Sequence, residues 1–107
     1  MTGFDEREKG YERKFEHDQE MAFKLKARRH RLLGQWAAGA MGLKGADAES
    51  YAAELAVTGL NRHDDDEAVA RVVRDLAARG VALDAARVRE ELARCDREAK
   101  KQLGAEP

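Results

Sequence analysis

The chain has 107 residues, a formal net charge of −1 and a single cysteine, Cys95. That length supports one core. The near-zero charge argues against a general nucleic-acid or membrane-surface role. A lone cysteine forms no internal disulfide and suits a reducing cytoplasm. No secretory leader and no run of about 18 apolar residues is present, so the reading is a cytoplasmic protein with no direct membrane insertion.

Proline occurs only at Pro107, isoleucine is absent, and Ala, Leu, Glu, Lys and Arg dominate, which favours helix throughout. The first predicted helix runs from about Asp5 to Ala40 and changes character along its length. Apart from Met1, its opening carries only Phe4, Tyr11 and Phe15 as large apolar residues, set among Asp5, Glu6, Arg7, Glu8, Lys9, Glu12, Arg13, Lys14, Glu16 and Asp18. Spaced 7 and 4 apart, the aromatics form one narrow stripe on a helix. Three such side chains return less than ordering the segment costs. Gly10, in its middle, weakens the helix by about 1 kcal/mol relative to alanine. Opposite charges such as Asp5 with Lys9, and Arg13 with Glu16, keep it helix-competent. Residues 1–18 are therefore expected to be a mobile arm that takes its shape on a partner, against the plainer reading of a fraying helix end.

A block of purely positive charge follows: Lys24, Lys26, Arg28, Arg29 and Arg31, with His30 among them. It suits a partner's acidic surface or a phosphate. No glycine-rich phosphate loop accompanies it, so weak nucleotide contact is secondary and nucleic acid less favoured still. His17 and His30 are candidates for titration near neutral pH. In the second half of this helix, Ala22, Leu25, Leu32, Leu33, Trp36, Ala37 and Ala40 make a broad buried face interrupted by Gly34, which suggests close packing there.

The second helix is read in DAESYAAELAVTG, with Tyr51, Ala52, Leu55 and Ala56 inward. The third starts at Asp64 in a capping-box pattern with Glu67 and buries Val69, Val72, Val73 and Leu76. The fourth starts at Asp84, with Leu83 and Val88 set for a hydrophobic staple, and buries Val88, Leu92, Cys95, Ala99 and Leu103. Gly39, Gly42, Gly45, Gly59, Gly80 and Gly104 read as helix stops. The expected fold is all-α, a small four-helix bundle (19–107) with the mobile arm (1–18) continuing into helix one.

His63 beside Asp64, Asp65 and Asp66 lacks a second histidine at ligand spacing, so no metal is expected. No cofactor motif appears, and no hydroxyl stands with a base and an orienting acid, so the chain reads as a non-enzyme.

FDEREKGYERKFEHD (Phe4 to Asp18), KARRHRLLG (Lys26 to Gly34) and WAAGAMGL (Trp36 to Leu43) together resemble the alpha-proteobacterial zeta subunit, the ATPase-inhibitor subunit of F-type ATP synthase. The resemblance implies a four-helix bundle whose N-terminal segment enters an α/β catalytic interface, becomes helical there and blocks hydrolysis, with the bundle as a stop that limits insertion and helps dock the inhibitor. The implied partners are the α and β subunits, with γ left open, and the implied location is the cytoplasmic face of the inner membrane. The partner-binding residues would be Phe4, Asp5, Arg7, Glu8, Lys9, Tyr11, Glu12, Arg13, Lys14 and Phe15. Gly10 departs from the alanine usual in the family pattern, which lowers helicity within the inhibitory segment. The alternative is a nucleotide-responsive or nucleic-acid-associated helical module using Lys24 to Arg31.

Overall fold

The computed structural model describes residues 2–58 and 64–106, with side chains described for 17–57 and 65–106. It is built of four helices: α1 Thr2–Ala40, α2 Gly45–Thr58, α3 Asp64–Ala78 and α4 Ala85–Ala105. This is the expected all-α bundle, and no strand occurs among the described residues. At 39 residues, α1 is about 58 Å long and accounts for most of the 66 Å long dimension of the molecule. Its backbone runs as a single helix through Gly10 and the basic block into the bundle.

The other helices pack along the C-terminal half of α1. Gly34 sits against Ala52 of α2, Trp36 lies under Arg87 of α4, and Arg28 reaches Gln102 near the end of α4. Both α2 and α4 therefore run antiparallel to α1, as short links demand. Pairing of Tyr51 with Asp75 and of Glu54 with Arg71 likewise sets α2 and α3 antiparallel.

The core is Leu33 and Ala37 from α1, Leu55 from α2, Ala68, Val69, Val72 and Leu76 from α3, and Val88, Leu92 and Cys95 from α4. Trp36, Met41, Tyr51 and Val73 pack half-buried against it. The α1 face is narrower than its apolar pattern suggests. Ala22 and Ala40 are exposed because Ala22 lies out toward the arm and Ala40 at the turn, whereas Ala38 is fully buried.

Helix ends follow from local chemistry. After α1, the Leu43 amide donates to Ala38 O (2.9 Å) and the Gly42 amide to Gly39 O (3.1 Å), with Gly42 at φ 81°. The same left-handed stop recurs after α3, where the Val81 amide donates to Leu76 O and the Gly80 amide to Ala77 O. Other glycines depart from the expected stops. Gly39 lies inside α1, and Gly45 opens α2 instead of closing α1. Gly104 lies inside α4, which ends at Ala105 with an extended Glu106. Gly59 and the Asp64 cap side chain lie outside the described residues. Asp84 caps α4 as expected, accepting from the Arg87 amide at 2.8 Å; Val88 is in the core and Leu83 packs half-buried against it. Asp84→Ala is expected to cost about 1 kcal/mol in urea unfolding, with Asp84→Asn close to neutral.

Candidate functional site

The candidate site is the N-terminal stretch of α1 together with the place where the bundle holds it. His17, Asp18, Gln19 and Glu20 are exposed, Met21 is the first half-buried residue, and His30 is the first fully buried one among the described side chains. The side chains of Phe4, Asp5, Arg7, Glu8, Lys9, Tyr11, Glu12, Arg13, Lys14 and Phe15 lie outside the described residues; their backbone belongs to α1.

The basic block divides into two parts. Lys24 is exposed and Lys26 half-buried. The next run, Arg28 to Arg31, reaches all three of the other helices, with Arg29 and His30 sharing Asp65. Arg28 donates to Gln102 Oε1 (2.9 Å) and Glu106 Oε1 (2.7 Å) on and after α4. Arg29 holds Asp65 of α3 through Nε (3.3 Å) and Nη2 (3.2 Å), and lies 3.6 Å from Asp96 of α4. His30, with no exposed surface, has Nε2 2.7 Å from Asp65 Oδ1. Arg31 approaches Glu49 of α2 at 3.5 Å. Four successive side chains span all sides of a helix, so a cationic run at this level meets acidic residues on every helix around it. A phosphate would have to displace these carboxylates from Arg28 and Arg29.

His30 is thus a buried residue at the level where α1 meets α3, held against Asp65. Asp65 is the hub. Burial alone pushes its pKa up, but the hydrogen bond with His30 and the Arg29 guanidinium outweigh this and hold it below the ordinary 3.8. A depressed carboxylate stabilises the fold fully above about pH 4, and the contribution is lost as acid carries the pH down through the folded value. Asp65→Asn is therefore expected to lower the melting temperature at about pH 7 by roughly 5 °C, a figure of about 1 kcal/mol discounted for a half-exposed carboxylate. The gap to the parent should narrow as the pH falls through the folded value, below the ordinary 3.8; a gap that does not change with acidification would remove Asp65 ionisation from the account.

Elsewhere, polar groups serve packing. Glu91, buried on α4, pairs with Arg94 and with Arg87 Nη1 (3.2 Å), and Arg87 also covers the Trp36 ring. Burial pushes the Cys95 thiol up to about 11, as suits a small apolar core residue. No metal-binding cluster and no helix apolar and long enough to cross a membrane occurs among the described residues. His63 lies outside them.

A family model described as ATPase inhibitor subunit zeta matches residues 1–102. The chain belongs to the ATPase inhibitor subunit zeta family. The match begins at the first residue and so takes in the N-terminal stretch as well as the zeta bundle through most of α4. No curated protein and no solved structure matches the chain. The feature of this zeta-family chain that its sequence hides is the hub on Asp65. It lies 35 residues from His30, and no local pattern reports that separation.

Proposed function

We propose that this zeta-family chain inhibits the hydrolytic direction of F-type ATP synthase by inserting residues 1–18, as a helix, at an α/β interface of the catalytic sector. Hydrolysis requires that interface to open and close with rotation, and a helix wedged into it holds one state. Phe4, Tyr11 and Phe15 are the apolar anchors, and Arg7, Lys9, Glu12, Arg13 and Lys14 set register through charge. Residues 19–107 remain outside as a stop. The protein then works at the cytoplasmic face of the inner membrane, with α and β as its partners.

The observation that carries this reading is that the family match starts at residue 1 and includes the segment with least apolar content. The continuity of α1 supports it, since a wedge joined to its stop without a break transmits position. Phe4→Ala combined with Tyr11→Ala is expected to weaken inhibition of the purified ATPase roughly 10–100-fold, mainly through faster release, at an unchanged melting temperature. Equal inhibition by the double variant and the parent would defeat the arm mechanism.

A further inference from the structure

Among the described residues two large apolar side chains stand well out of the surface, Phe23 (55 % exposed) and Val57 (63 %). Both belong to the end of the bundle from which the arm departs. Phe23 lies with Ala27, Ala56 and Leu103 along an open groove of about 350 Å³ formed by α1, α2 and the end of α4. Val57 is the next residue along α2. Single exposed apolar side chains are ordinary, but Phe23 stands along a groove whose floor, Ala27, Ala56 and Leu103, is also apolar, and Val57 is exposed at the same end of the bundle.

The groove has a charge bias. Lys24, Arg28 and Arg31 line it against one acid, Glu106. Glu106 is engaged by Arg28 at 2.7 Å, which leaves Lys24 and Arg31 facing outward. Arg31 leans on Glu49 at 3.5 Å, and both side chains are exposed, so a partner's carboxylate can take Glu49's place.

Position along α1 restricts what reaches the groove. Phe23 is eight residues beyond Phe15, about 12 Å along the helix axis. An arm inserted as far as Phe15 brings the rim of its host to the mouth of this groove. We infer that the groove along Phe23, Ala56 and Leu103, with the exposed Val57 at the same end of the bundle, is a second docking surface, which takes an acidic segment with an apolar face from the same ATPase sector that receives the arm. The inference rests on the proposed arm insertion and adds where the bundle seats. The apolar floor contributes to retention, and Lys24 and Arg31 to encounter and orientation.

The test uses the full-length chain and the purified catalytic sector, with binding measured by biolayer interferometry beside ATP hydrolysis. Phe23→Ser with Val57→Ser is expected to weaken binding about 10–100-fold through faster release, with the melting temperature kept because both positions are exposed. Saturating amounts should still inhibit, since the arm is intact. Lys24→Glu is expected to lower the association rate and flatten its dependence on ionic strength. Binding by both variants indistinguishable from the parent, with parental inhibition, would overturn the second surface while leaving the arm mechanism standing. Undiminished inhibition by the Phe4→Ala, Tyr11→Ala variant would instead overturn the arm reading. Concentration-dependent dimerisation, or binding to phosphatidylglycerol vesicles, that disappears in the Phe23→Ser, Val57→Ser variant would assign the groove to a second copy or to lipid and overturn the inference.

Discussion

Gly34→Val is expected to destabilise the bundle by about 3 kcal/mol or more. A Cβ at Gly34 would lie 2.7 Å from the Cα of Ala52 and 3.3 Å from the Cβ of Leu55. The nearest of these atoms is backbone, and no rotamer change relieves it. Ala52 and Leu55 are themselves buried, so α2 would have to withdraw as a unit and open the Leu33–Leu55 region of the core. Gly34→Ala is the milder case: a gain of about 1 kcal/mol in helix propensity is set against an overpacking cost of about 1–3 kcal/mol. Gly39→Ala is the control. It lies in the same helix with nothing within 4 Å of the added carbon, so it should be neutral or stabilising by up to about 1 kcal/mol. Urea unfolding of the three variants tests the ranking; a Gly34→Val protein as stable as the parent would refute the close approach.

Deleting residues 1–18 is expected to abolish inhibition of the ATPase, a loss of at least about 100-fold in potency, and to leave the bundle's unfolding within about 0.5 kcal/mol of the parent. No core residue among the described side chains precedes His30, and the Arg28–Arg31 contacts all lie beyond the cut. The two readouts separate cleanly. A truncated protein that melts normally and still inhibits would place the activity in the bundle, whereas one that unfolds would show that the segment is part of the fold.

Much of the bundle is legible from local pattern. The apolar spacing of Val69, Val72 and Leu76, and of Val88, Leu92, Cys95 and Ala99, identifies the buried faces, because each helix has one dry side and a 3.6-residue repeat. Asp84 is legible as a cap because its role depends on the next three residues alone. Gly42 and Gly80 end helices as expected, but Gly39 and Gly104 show that glycine within a turn of an end does not by itself stop one. The contacts that link distant parts of the chain are not legible. Arg28, Arg29 and Arg31 look like a solvated cationic stretch until acidic residues from three helices are brought around them. The burial of His30 is hidden for the same reason, since its partner Asp65 comes from α3. Phe23 follows the aromatic stripe at helical spacing, yet its significance depends on Ala56 and Leu103 meeting beside it.

The Arg28–Arg31 clasp has a mechanical consequence. Within little more than one turn α1 is tied to α2, α3 and α4. A sideways load on the N-terminal end would be shared among three struts at once, and prying off any one of them would leave the other two bearing it. Such a mounting fixes the direction in which α1 leaves the bundle.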